Sequence, residues 1–172
     1  STGRVNTEIV GDTITYSDSL GYATALGNVI IARDSLTAFG QLLEFYTDSM
    51  YAELTGSPMA ISGADTIRGD KMRLFFQDEV LERVEVHGDA VATSPADTLP
   101  DAPRQILTGD QMTLWITDSR LTSALVEGSA TATYYVREKT ERQGLNVTSG
   151  DKLKISFEER RISRIRVEGG TQ

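Results

Sequence analysis

The side chains that could do chemistry in this sequence are one histidine and a set of regularly placed aspartates. His87 has no companions at the spacing of metal ligands or of a catalytic base, and its parity predicts a solvated position beside Glu85 on an outward strand face. Aspartate recurs directly after glycine, which suggests either calcium ligands or the hydrogen bonding of turns and strand entries. We favour turns, because the consecutive ligand-rich turns of a calcium-binding β-roll are missing. The aspartates are Asp12, Asp70, Asp110 and Asp151.

The composition excludes several classes of function. The chain of 172 residues carries 25 acidic against 17 basic side chains, for a net charge of -8, which argues against a nucleic-acid partner. Cysteine is absent, so thiolate metal sites are ruled out. We therefore predict a protein that is not an enzyme, with no catalytic residue, no metal and no cofactor.

The aspartates open a pattern of two strands that is clearest in residues 109–130, GDQMTLWITDSRLTSALVEGSA. Met112, Leu114 and Ile116 share one parity, which is the period-2 signal of a half-buried strand. A turn signal follows, and then Ala124 and Val126 repeat the alternation. One unit is therefore predicted to be a strand, a short turn and a second strand.

The same unit occurs five times, and its openings are 29, 29, 40 and 41 residues apart. A period in this range indicates a stacked repeat architecture, because one unit cannot bury its apolar face alone. The chain is thus predicted to be all-β, with about two strands per repeat and no helix. The openings are Gly11-Asp12, Gly40-Gln41, Gly69-Asp70, Gly109-Asp110 and Gly150-Asp151, and the closings begin at Gly27, Gly56, Gly88, Gly128 and Gly169.

We expect two facing sheets, with each unit adding one strand to each sheet. Residues 93–105 and 137–146 are predicted to be loops that account for the two longer spacings. A row of small residues is expected to face a row of large ones across the interior. The small row is Ala25, Gly27, Ala52, Gly56, Gly88, Ala90, Gly128 and Ala130, and the large row is Ile14, Leu43, Met72, Leu114 and Leu153.

These motifs resemble the OstA-like repeats of lipopolysaccharide-transport proteins, the group of LptA, LptC and the N-terminal domain of LptD. The resemblance rests on the GD-x-[ILM]-x-[YFLI] opening, the D-S or D-E turn and the G-[NSD]-[VPA] closing, and it covers residues 9–171. It implies a β-jellyroll, or β-taco, with a V-shaped cross-section. We predict a single domain over residues 1–172, as a piece of a longer chain.

The resemblance also implies a function. In that family an apolar groove shelters the acyl chains of lipopolysaccharide or a related glycolipid, and domains join end to end through their edge strands. The implied location is the periplasm, with attachment to the inner or outer membrane through parts absent from this chain. The implied partners are other OstA-like transport proteins, or further copies in an end-to-end homo-oligomer. The groove residues are Ile14, Tyr16, Leu43, Phe45, Met72, Leu74, Val84, Val86, Leu114, Ile116, Val126, Leu153, Ile155 and Val167.

Alternatives remain open at this stage. Taken without the resemblance, the inward rows favour a filled core, in which case the chain is a purely structural repeat domain that assembles without lipid. A polysaccharide-acting β-solenoid ranks lower, since the outward rows lack paired carboxylates with a suitable partner. Tyr46, Phe75 and Trp115 each lie six residues after the opening glycine of their unit, on the outward face of the strand. This suggests either an aromatic row facing a partner or rings covered by a loop or a local bulge.

Overall fold

The computed structural model describes residues 7–33, 35–78, 80–96, 102–118, 120–138, 141–159 and 161–169, and in these ranges the chain forms β-strands and no helix. The predicted all-β class is confirmed. No helix in the described ranges is long and apolar enough to cross a membrane. The strands are β1 (Glu8–Val10), β2 (Thr13–Ser17), β3 (Tyr22–Arg33), β4 (Leu36–Tyr46), β5 (Tyr51–Thr55), β6 (Met59–Ser62), β7 (Asp65–Arg68), β8 (Lys71–Gln77), β9 (Val80–Pro95), β10 (Arg104–Thr117), β11 (Arg120–Glu138), β12 (Glu141–Glu158) and β13 (Arg161–Glu168).

All the strand pairs are antiparallel and belong to one hydrogen-bonded sheet, which bends into two halves. Half A has the order β2-β3-β4-β5-β8-β9-β10-β11-β12-β13, and half B has the order β1-β3-β4-β6-β7-β9-β10-β11-β12. The long strands run through both halves. One hydrophobic cluster takes residues from both, for example Leu43 of half A and Ile31 of half B, so the core lies between them.

The bends between the halves lie at the predicted openings and closings. Gly27 and Asn28 both adopt positive φ, at 81° and 49°, where the pairing of β3 with β4 shifts register. The amide of Asp12 donates to the carbonyl of Gly27 at 2.9 Å, and a Cβ on Gly27 would lie 2.5 Å from a carboxylate oxygen of Asp12. Only glycine fits such a position. Positive φ recurs at the other closing glycines, Gly56, Gly88, Gly128 and Gly169.

The predicted division of strands between the sheets is wrong. Both strands of a unit lie in half A, as residues 111–117 and 120–127 of the fourth unit show, and the segments between units form half B. The reason is that the tight turn inside a unit makes its two strands direct antiparallel neighbours. The glycine bends, rather than the hairpin turns, carry the chain from one half to the other.

The second predicted loop, residues 137–146, is largely strand, whereas strands take up only the two ends of the first, residues 93–105. Residues 93–95 end β9 and residues 104 and 105 begin β10, while residues 137, 138 and 141–146 belong to β11 and β12. Residues 97–101, 139 and 140 lie outside the described parts of the chain. The longer spacings therefore arise mainly because the half-B hairpins are longer.

Candidate functional site

Two apolar columns line the inner face of half A, and each crosses all ten strands of that half. Successive members are Cα partners on neighbouring strands, so each column is continuous. The first column, next to the bends, is Ile14, Ala25, Leu43, Leu54, Met72, Val86, Met112, Val126, Leu153 and Val167. The second is Tyr16, Ala23, Phe45, Ala52, Leu74, Val84, Leu114, Ala124, Ile155 and Ile165.

All fourteen predicted groove residues lie on this one inner face. The central members are fully buried, and Leu114 has no exposed surface. Phe45 and Ile116 are partly buried against the same core. The middle of the interior is thus filled with side chains in this structure. The fully buried members are Leu43, Met72, Leu74, Val84, Val86, Leu114, Val126, Leu153 and Ile155.

The inner columns are uncovered at both ends of the described sheet. Ile14 and Tyr16 on β2 are 55% and 62% exposed, although they pair with residues of the inner face. Val167 on β13 is 43% exposed and is the Cα partner of the fully buried Leu153. Apolar inner surface is therefore accessible at both edges of half A.

The opposite wall of the interior belongs to half B. The predicted groove included no residue of this wall, because the half-B segments lie between the predicted units. Four of the nine residues in the inner column of half B are alanines. Only β11 carries a clear signal in the sequence, the alternation of Ala130 and Ala132 with Ser129, Thr131 and Thr133. The inner column of half B is Ile9, Ile31, Ala38, Ala60, Ile67, Ala92, Leu107, Ala132 and Thr148.

The predicted small and large rows do not face each other. Ala25 is the Cα partner of both Ile14 and Leu43, so small and large residues alternate within one wall. Ala90 and Ala130 lie on half B. The physical reason is again that both strands of a unit share a sheet half, which makes their matching positions lateral neighbours.

The mouth of the cleft, at the side away from the bends, has two lips of different chemistry. Lip A is the third inner column of half A and is apolar. Lip B lies two residues beyond the inner column of half B and is mostly polar. Lip A is Phe76, Leu81, Ile116, Leu121, Phe157 and Ile162. Lip B is Arg33, Leu36, Ser62, Asp65, Ser94, Gln105, Tyr134 and Asn146.

Arg33 and Phe76 make a contact between the lips across the mouth. The guanidinium of Arg33 lies 5.8 Å from the centroid of the Phe76 ring, within the range of a cation–π interaction. Arg33 also donates a hydrogen bond of 2.8 Å to the hydroxyl of Thr7. Phe76 in turn packs edge to face with Phe45 of the inner column. The mouth is thus closed over Phe76 by an arginine rather than by an apolar side chain.

The outer face of half A carries a row of side chains that includes the three aromatic residues noted in the sequence, with Arg83 between Phe75 and Trp115. Tyr46 stacks on Tyr51, with ring centroids 5.6 Å apart, and neighbouring rings follow at 5.1 to 5.2 Å. The rings cover one another's faces, which accounts for their partial burial. The row is Tyr22, Tyr46, Tyr51, Phe75, Arg83 and Trp115.

A carboxylate beside this row collects several donors. Glu53 accepts hydrogen bonds from the Tyr51 hydroxyl at 2.9 Å and from Arg73 Nε at 3.2 Å, and its carboxylate lies 3.5 Å from Lys71 Nζ. Burial alone would raise the pKa of Glu53, but these three partners lower it below its ordinary value. Burial, followed by the bond to Glu53, raises the pKa of Tyr51 to about 12. The group is satisfied internally and has no feature of a catalytic carboxylate.

The repeated aspartates lie at the bends. Asp12, Asp70, Asp110 and Asp151 each lie against the closing glycine of the neighbouring strand. No group of three or more histidine, cysteine, aspartate or glutamate side chains that could hold a metal ion occurs in the described residues. His87 is half-buried on the outer face rather than fully solvated, with Lys71 and Gln111 as its cross-strand neighbours.

Comparison with known proteins gives one kind of match. No protein-family model matches the chain, and no curated protein sequence matches it. Among solved structures, the fold is similar to that of LptH, the LptA-homologous periplasmic component of the lipopolysaccharide transport device of Pseudomonas aeruginosa. The TM-score is 0.50 at 14% sequence identity, over 96% of this chain and 83% of LptH. The predicted β-jellyroll fold is confirmed by this similarity.

Proposed function

We propose that the chain shelters the acyl chains of lipopolysaccharide or a related glycolipid in the cleft between its two halves, as a periplasmic transport domain without enzymatic activity. The observation that carries the proposal is the continuity of the inner columns. They cross ten strands of half A without a polar interruption and end in exposed apolar residues at Ile14, Tyr16 and Val167. A repeat domain that only needs a core is expected to end in polar capping positions.

The position of the acyl chains follows from the burial of the core. Because the centre of the interior is filled, we place the chains along lip A, at half-buried Ile116 and Phe157, and over the uncovered ends of the columns. Each methylene removed from water there contributes about 0.8 kcal/mol before ordering costs. About a dozen methylenes along lip A and the column ends would contribute about 10 kcal/mol before those costs.

The edges of the sheet support the proposed joining of partners. In the described parts of the chain, β2 and β13 each pair on one side only in half A, as β1 and the first part of β12 do in half B. A free strand edge has unpaired backbone groups that accept a further strand. The proposed partners are other OstA-like transport proteins or further copies of this chain, joined end to end.

Photo-crosslinking tests the lipid proposal. A benzophenone amino acid at Phe157, on lip A, is compared with the same probe at Ser156, the exposed outward neighbour on β12, in cells that make lipopolysaccharide. A glycolipid adduct at position 157 and none at 156 is expected. Adducts at both positions, or at neither in a folded protein, would contradict a lipid-accessible cleft.

A second candidate function is a purely structural repeat domain that assembles through its edges. The observation that favours it is the complete burial of the central inner residues, such as Met72 and Leu114. This alternative predicts concentration-dependent association of purified protein, measured by analytical ultracentrifugation, together with no adduct at Phe157.

A further inference from the structure

The two lips of the mouth are opposite in chemistry although they border the same cleft. Lip A presents only apolar side chains, among them Leu81, Ile116 and Phe157. Lip B presents hydrogen-bonding groups on nearly every strand, among them Ser94 and Gln105. A molecule lying in the mouth must therefore be apolar along one side and form hydrogen bonds along the other.

The polarity of lip B is not explained by solvation alone. If position near the mouth determined residue type, lip A would be polar too, since its pairs Phe76 with Leu81 and Ile116 with Leu121 lie next to the last strand pairs of their hairpins. The lip B side chains are also half-buried, and Gln105 is only 7% exposed. Burying a polar group without a partner is costly, so such groups are expected to serve a bound partner or one another.

Lip B makes few strong hydrogen bonds of its own. In the described residues, apart from the bond of Arg33 to Thr7, the Tyr134 hydroxyl reaches Thr148 at 3.5 Å, Ser62 reaches Ser35 at 3.5 Å, and the Ser94 hydroxyl donates to the carbonyl of Pro95 at 3.4 Å. These three contacts are near the long limit of hydrogen bonding and stay within half B. Hydroxyl and amide side chains have further donor and acceptor capacity, which is available to a ligand in the mouth.

The charge of lip B indicates what kind of polar group it accepts. Arg33 and Asp65 carry opposite charges, and the other members are neutral. The Arg33 guanidinium is already held by Thr7 and the Phe76 ring. A row without net charge offers little attraction to phosphate but matches the alternating donors and acceptors of hydroxyl groups.

We propose that lip B is a hydrogen-bonding track for the uncharged, hydroxyl-rich sugar part of an amphiphile whose hydrocarbon chains lie along lip A. The inference rests on the proposed function and adds the orientation of the ligand in the mouth and its headgroup class. The track runs along half B from β3 to β12, so a sugar headgroup meets equivalent partners at successive strands as the lipid moves along the sheet.

The test compares two probes that share a twelve-carbon chain but differ in headgroup, dodecyl maltoside and dodecyl phosphate. Both are used below their micelle concentrations to displace a fluorescent fatty acid from the full chain. The maltoside is expected to bind about tenfold more tightly, as a few net hydrogen bonds allow. In the triple variant Ser62→Ala, Ser94→Ala and Asn146→Ala the preference is lost, while the affinity for dodecyl phosphate is unchanged.

A matched control variant changes hydroxyl residues on the outward face of the same half, Thr66→Ala, Thr133→Ala and Ser149→Ala. It is expected to keep the tenfold preference. Equal affinities of the wild-type chain for the two probes overturn the inference and leave the proposed function standing, and this comparison does not depend on whether the triple variant folds. A failure of both probes and of the fatty acid to bind overturns the inference and the proposed function together.

Discussion

The guanidinium carbon of Arg83 lies 4.0 Å from the centroid of the Phe75 ring, on the outer face of half A. The two residues are Cα partners on β9 and β8, and the arginine continues the stack of rings that begins at Tyr22. No hydrogen-bond partner for Arg83 Nε occurs in the described residues. The Phe75 ring face thus packs against a guanidinium whose Nε has no hydrogen-bond partner in the part of the chain that is described.

A double-mutant cycle measures this contact. We expect Arg83→Gln and Phe75→Leu to show a coupling free energy of about 0.5 to 1 kcal/mol, the usual size of a cation–π pair at a partly exposed site. The free energies of unfolding come from urea titrations of the four proteins. Arg73→Gln combined with Phe75→Leu is the control, since Arg73 binds Glu53, and its coupling should be near zero. A null coupling for Arg83 as well would show that the stacking has no energetic weight.

The closing glycines provide a second prediction. Gly88 has φ +81° and a Cβ there would collide with the Asp70 carboxylate, whereas Gly63 has φ +60° and open space around it. Gly63→Ala should lose about 1 kcal/mol of stability, from the left-handed backbone alone. Gly88→Ala should lose about 1 to 3 kcal/mol more, because the neighbouring strand must shift. Equal losses in urea unfolding would mean that the bend tolerates the displacement of Asp70.

These bends also show what the sequence could and could not reveal. The glycine and aspartate spacing predicted the two strands and the turn of each unit, because period-2 alternation and turn residues are local signals. That the openings and closings are bends between two sheet halves was not predicted. The side of the bend on which each strand lies is set by pairing between distant segments, such as Ala25 with Leu43. Local patterns carry no information about that choice.

One wall of the candidate site could be predicted from the sequence, and the other could not. The fourteen groove residues share one inner face because parity decides which face a side chain occupies. The second wall and lip B were missed, since Ser94, Gln105 and Asn146 lie in segments whose polar residues resemble loops. The role proposed for these polar residues depends on lip A, and only the folded sheet brings the two lips close together.

The filled centre of the interior gives a third prediction. Leu114 is fully buried between its neighbours Val84 and Ala124, whereas Leu26 on the outer face is 56% exposed. Leu114→Ala should cost about 2 to 5 kcal/mol through lost burial and the cavity that remains. Leu26→Ala should stay within about 0.5 kcal/mol of the wild type. Similar small losses for both in urea unfolding would indicate a hydrated groove at Leu114.

The hydrogen bond between Tyr51 and Glu53 gives a prediction in alkaline solution. The pKa of Tyr51 is raised to about 12, mainly by burial and then by the bond to Glu53, whereas an unfolded tyrosine titrates near pH 10. A group whose pKa is raised on folding stabilises the native state below its unfolded pKa, so this contribution is complete below about pH 10 and is lost as the pH rises toward 12.

Calorimetric melting temperatures measured from pH 9 to 12 should therefore fall more steeply for the wild type than for Tyr51→Phe, which has no proton to lose at this position. Tyr16→Phe is the control: the Tyr16 hydroxyl donates to Asp18 at 2.6 Å, but the side chain is exposed, so its removal should change the slope less. Ultraviolet titration of the phenolate bands should show one tyrosine fewer titrating at high pH in Tyr51→Phe. If the wild type and Tyr51→Phe lose stability in parallel, the Tyr51 hydroxyl is not coupled to folding, and Glu53 is held by Arg73 and Lys71 alone.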